Sequence, residues 1–181
     1  MGGPRQDGDA ADPRVERVLA RFAREGRRPI ALYRELARAP HLLEPYSALA
    51  QALRHDAVTP RPLRELVILR IAHLTGSAYE WSHHRAMAER EGVPAAKIRA
   101  AAGAEDAGAL DEDERLALRL ADETHAMRVS PATTGELARR LGEAGAVELV
   151  MLASLYEAVA RLIDGLGVEV EDEYRPYEGL P

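Results

Sequence analysis

The 181-residue sequence has no cysteine. That absence removes disulfides, thiol redox chemistry and thiolate-ligated zinc together, and it fits a cytoplasmic protein. Aromatic residues are scarce, with one Phe and one Trp. The core must therefore be built from Ala, Leu and Val, which with abundant Arg and Glu favour helix. No apolar run is long enough to span a bilayer, and no secretory pattern opens the chain, so no membrane partner is expected. The net charge of −6 speaks against a phosphate-binding surface, and the arginines are spread along helical faces, so no nucleic acid is expected either. Glycine-rich phosphate loops, strand hairpins and internal repeats are missing as well. The length suits one domain with a real core.

What is present is helical periodicity. Val15, Val18, Leu19 and Phe22 recur at helical spacing. Further helices are expected over residues 30–39, with Pro40 at the end, and over 42–55. Thr59 and Pro60 then mark a helix start. That helix runs to about Leu74 and is apolar nearly all round, which predicts burial. Gly76 breaks it, and Ser77 opens the next helix, which Gly92 stops. Helices follow over 94–102, 111–127, 131–142 and 145–163, the last so apolar that it is expected as the central core helix. The pattern predicts an all-α fold of about seven to nine mostly antiparallel helices. Residues 1–12 are expected to be disordered, 13–167 to form a single domain, and 168–181 to be an acidic tail, either frayed or docked on a partner subunit.

The chemistry concentrates between Glu65 and Met87, which hold the only Trp and three of the six His. Glu65 lies on an apolar helical face with Ile68, Leu69 and Ala72. It is either a carboxylate seeking a buried His or Arg, or a first-turn acid paired with Arg61 or the helix dipole. Ser77, Glu80 and His84 share one face of the following helix. Ser77-x-x-Glu80 is also a capping-box pattern, and the two readings are compatible. Glu80 and His84, four apart, can hydrogen-bond, which fixes a histidine tautomer for acid–base work. His83 faces either the same cleft or solvent. Ser77 lies about 10 Å of helical rise from His84, too far for direct activation as a nucleophile. Glu80, His83 and His84 could share a metal ion, but the full H-E-x-x-H pattern is absent, so neither metal nor cofactor is expected. Outside the stretch, Tyr156 is either core or a site residue, and Trp81 either a packing anchor or a contact to substrate or subunit. His73 is expected in the core, and His125 facing solvent or the dipole.

The stretch resembles the carboxymuconolactone decarboxylase family, whose fold is shared with the AhpD-like alkylhydroperoxidases. Peroxidase members of that fold carry a glutamate, a Cys-x-x-Cys pair and a histidine. Here Glu65 matches the glutamate, Ser77 and Glu80 stand at the cysteine positions, and His84 matches the histidine without a gap. The R-E-L-V-I-L and E-W-x-x-H-H text is similar to members lacking the cysteines. The resemblance implies an AhpD-like helical domain and a cytoplasmic homo-oligomer, a trimer or its multiple, or a dimer. A peroxidase route needs two thiols and is excluded for this chain. What remains resembles the cofactor-free decarboxylase branch, a lyase of aromatic-compound degradation acting on a small cyclic or unsaturated carboxylic acid. In that reading His84 is the main acid/base, Glu80 its orienter and Glu65 a second carboxyl in the relay. Ser77, His83, Trp81 and Tyr156 meet the substrate. The competing expectation is a non-catalytic oligomeric binding protein that keeps the fold.

Overall fold

The computed structural model describes residues 12–103 and 107–179, and they form two compact units, divided between Gln51 and Ala52. The expected disorder of residues 1–11 lies outside the described residues. Asp12 does not share it. Its carboxylate accepts the Arg14 N–H at 2.8 Å and caps α1 (Pro13–Arg24), with Pro at the first helical position, where a missing N–H costs nothing.

In the first unit α1 is followed by α2 (Ala31–Leu36) and α3 (Pro40–Gln51). Phe22 meets Tyr33 edge to face at 4.9 Å, and Tyr33 meets Tyr46 at 5.7 Å, so the three aromatics of this unit are gathered into one cluster. Arg17 forks onto Glu44 at 2.8 and 3.1 Å and ties α1 to α3. Pro40 begins α3 instead of ending α2, because a fixed φ suits the first turn of a helix as well as the stop of the one before.

The second unit opens with a π-helical turn, Ala52–Asp56, where a longer α3 was expected. Helices α4 (Arg61–Thr75), α5 (Ala78–Arg90), α6 (Ala95–Ala101), α7 (Glu112–His125) and α8 (Pro131–Leu166) follow. Among the described residues there is no strand, and the all-α expectation holds. Gly142 sits at φ 79°, ψ 163° and divides α8 at the break the sequence predicts. Thr59 does not cap α4. Its N–H and hydroxyl both go to Glu148 at 3.0 Å, with the Val58 N–H at 2.7 Å, so a carboxylate from α8 fixes the segment leading into α4.

The central helix is α4, not the last one. It is buried from Leu63 to Leu69 and packs against α5, α6, α7 and α8. α8 buries one face and leaves Val147 and Met151 65% and 46% exposed. α4 and α5 join through Gly76, whose φ of 68° is the left-handed conformation that closes a helix end. Trp81 is 1% exposed and packs in the apolar core with Leu66, Leu69 and Ala88. The C-terminal tail docks on its own chain: the short 3₁₀ turn Arg175–Tyr177 lies against α5, and Tyr174 is buried.

Candidate functional site

Glu65 lies one turn into α4, and the α4–α5 turn brings it opposite His84. His84 Nδ1 is 2.7 Å from Glu65 Oε2. On the other edge of the ring, Nε2 lies 3.4 Å from Glu80 Oε2, one turn back on α5. The imidazole is thus held between two carboxylates. The other Glu65 oxygen, Oε1, pairs with the Arg61 guanidinium across one turn of α4. Tyr156 from α8 closes the arrangement, its ring edge-on to His84 at 5.0 Å and 88°. Glu65 is 0% exposed, His84 4% and Glu80 5%, so the cluster is sealed from bulk water in the protomer.

Burial and charge separate the two carboxyls. Desolvation works against ionisation of Glu65, but the His84 charge and hydrogen bond, with Arg61, outweigh it and hold the carboxyl below its ordinary value. Glu80 lacks such compensation. Desolvation, with repulsion from Glu65, outweighs the attraction of His84 and pushes its carboxyl up to about 7. Tyr156 is pushed well above the usual tyrosine value by desolvation, then by Glu80 and Glu65. The result is one permanent carboxylate and one carboxyl that exchanges a proton near neutrality, both on one imidazole. The shorter contact to the imidazole is that of Glu65, at 2.7 Å, against 3.4 Å for Glu80 at the i, i+4 spacing.

The remaining predicted residues are dispersed. Ser77 caps α5, its Oγ accepting the Glu80 N–H at 3.4 Å. The return bond of a capping box is not made, because the Ser77 N–H donates to Ala72 O and the Glu80 carboxyl turns to His84. Trp81 does not meet the site: its indole packs in the core. His83 turns the other way on α5, stacked between Tyr79 at 4.2 Å and Tyr174 at 3.8 Å. Its Nδ1 lies 2.8 Å from Tyr79 O and its Nε2 3.1 Å from Glu171 Oε2, so the tail covers it. Burial lowers His83 to about 4. Tyr156 alone among the predicted contacts stands beside His84.

Three features escaped sequence reasoning. The positive charge of Arg54, on the π-helical turn, adds a minor pull toward the ionised forms of Glu65, Glu80 and Tyr156, and nothing in its local sequence signals that. His125 is not merely solvent-facing: its Nδ1 lies 2.7 Å from the buried Glu157, a partner thirty-two residues away that no periodicity links to it. Glu171 and Tyr174 belong to a tail that reads as acidic filler.

Residues 40–123 match the model of the Carboxymuconolactone decarboxylase family. Among solved structures, the debrominase Bmp8 without ligand superposes with a TM-score of 0.75 at 22% identity, over 92% of this chain and 90% of that chain. A cysteine-to-alanine variant of Bmp8 in complex with 2,3,4-tribromopyrrole gives 0.74 at 22% identity, over 91% and 89%. These likenesses establish the fold. No curated protein matches the chain.

Proposed function

We propose that this chain, whose residues 40–123 match the model of the carboxymuconolactone decarboxylase family, is a cofactor-independent lyase acting on a small cyclic or unsaturated carboxylic acid. The observation that carries this reading is His84 held between Glu65 at 2.7 Å and Glu80 at 3.4 Å, one carboxyl ionised and the other poised near 7. In the proposed reaction the bond to the substrate carboxylate breaks, CO2 leaves, and the electron pair moves into the conjugated system as an enolate. A proton then returns to carbon. Glu80 holds that proton at neutral pH and His84 passes it on from Nε2. Glu65, kept anionic by Arg61, fixes the ring through Nδ1 and stabilises the imidazolium. Arg54 and the Tyr156 hydroxyl offer positive charge and a donor where negative charge develops. The protein works as a homo-oligomer in this reading.

The test is CO2 release from a panel of lactone acids, β-keto acids and unsaturated acids. His84→Gln, with its helical circular dichroism intact, should lower turnover by about 10²–10⁴-fold. Undiminished turnover in that variant would remove the mechanism. One observation favours a second reading, a non-catalytic binding protein: the three central side chains are at most 5% exposed in the protomer. Saturable binding of an acid from the panel without its consumption would select that reading.

A further inference from the structure

A groove of about 890 Å³ lies on the second unit, and none of Glu65, Glu80, His84 and Tyr156 lines it. Its size is that of sites for small organic molecules. Leu74, Ala160, Ile163, Val168 and Val170 supply an apolar floor from α4, α8 and the segment after α8. Beside this floor stands an imidazole that the proposed reaction does not use. His125, at the end of α7, lines the groove and is half-buried. Its Nδ1 is bound to Glu157 at 2.7 Å, and Glu157 is itself 6% exposed and backed by Arg161 at 3.2 Å. A carboxylate only accepts, so Nδ1 carries a proton, and in the neutral imidazole Nε2 is the acceptor.

The charges on the groove choose among ligands. Arg161 is bound to Glu157, and Arg175 to Asp172 at 2.8 Å. Asp164, Glu169 and Glu178 also line the groove, and the last two act electrostatically on Arg175. A permanent anion meets these three carboxylates there and is disfavoured. An ammonium ion could donate to the Nε2 acceptor, but its charge would be desolvated on the apolar floor beside Arg161 and Arg175. A neutral aromatic body with a weakly acidic O–H satisfies both.

We propose that this groove is a second ligand site, separate from the Glu65–His84–Glu80 cluster, which takes a neutral hydroxy-aromatic molecule whose O–H is donated to His125 Nε2.

The probe is 4-chlorophenol, with benzoate and benzylamine as the anionic and cationic comparisons, followed by calorimetry and by the imidazole NMR signals of His125. Saturable chlorophenol binding that moves the His125 signals is expected, with both comparison compounds at least about tenfold weaker. His125→Phe should weaken chlorophenol about tenfold, the loss of one hydrogen bond, with circular dichroism showing an intact fold. Val170→Trp, which fills the groove away from the Glu65–His84–Glu80 cluster, should abolish binding. His84→Gln should leave binding unchanged, so this result stands apart from the decarboxylase reading. Binding that survives both groove variants, that is lost in His84→Gln, or that favours benzoate or benzylamine overturns the proposal, as does no chlorophenol binding at all.

Discussion

His84 Nδ1 and Glu65 Oε2 are 2.7 Å apart, and both residues are buried. A buried imidazole–carboxylate contact of this length, with Arg61 on the far carboxylate oxygen, fixes the ring more firmly than anything else around it. Replacing Glu65 by Gln keeps the volume and removes the charge that both partners answer. Unfolding free energy should fall by about 3–5 kcal/mol, the usual cost of removing one member of a buried pair. If catalysis follows the proposed route, kcat for the responsive acid should fall by about 10²–10⁴-fold through loss of the tautomer and of imidazolium stabilisation. Urea unfolding and CO2 release measure the two effects. A Glu65→Gln protein as stable as the wild type would mean that the contact does not hold the ring.

Glu80 makes a separate prediction about pH. Its folded value, about 7, lies above the 4.5 of an ordinary glutamate. The folded state therefore binds the proton more tightly than the unfolded chain. The associated stability is fully present below about 4.5 and is lost as pH rises through about 7. At 1.36 kcal/mol per unit that interval corresponds to about 3 kcal/mol. Glu80→Gln, which cannot ionise, should be more stable than the wild type at pH 8 and lose that advantage near pH 4.5. Chemical denaturation at the two pH values, with both proteins side by side, gives the answer. An advantage independent of pH would place the Glu80 value near that of a solvated carboxyl.

His83 titrates in the opposite sense. It is buried between two tyrosine rings, and its value falls from 6.5 to about 4. Its contribution is present above about 6.5 and is lost as pH falls through about 4. The His83 and Glu80 windows overlap, so the wild-type protein should respond to pH between 4 and 7 more flatly than either variant. His83→Phe keeps the stacking with Tyr79 and Tyr174 and removes the proton. It should withstand acid better than the wild type, and the fluorescence change of tail release should move to lower pH. An unchanged acid midpoint would show that tail docking does not depend on the neutral ring.

Much of this was legible in the sequence, for a physical reason. The face shared by Glu80 and His84 follows from helical geometry alone. Gly76, Gly92 and Gly142 punctuate the chain where their positive φ values allow it. Glu65 was identifiable because a carboxylate on an apolar helix demands a partner, although its strongest bond reaches nineteen residues ahead. What was not legible depends on which helices pack together. The choice of α4 over α8 as the central helix, the pairing of His125 with Glu157 and the tail over His83 are all long-range. Trp81 follows the packing-anchor alternative, because its side of α5 faces the core.

Glu148 offers the clearest test of such a long-range tie. From α8 it accepts the Val58 N–H at 2.7 Å and both the N–H and the hydroxyl of Thr59 at 3.0 Å. These bonds outweigh the desolvation of its carboxyl and hold it below the ordinary value. Arg64 binds the same segment from α4 through Thr59 O, and Arg54 O at 3.3 Å. Residues 54–59 are therefore held from two helices, and Arg54 is set on that segment. Glu148→Ala leaves two backbone donors to water and should cost about 1.5–3 kcal/mol, the range for hydrogen bonds to a charged group. Glu148→Gln keeps one acceptor and should recover part of that loss. If Arg54 sets the field at Glu80, releasing its segment should also raise the Glu80 titration, visible as an upward shift of the carboxyl signal in the Glu148→Ala protein. A stability loss without that shift would mean that Glu148 supports the fold alone and that Arg54 stays in place without it.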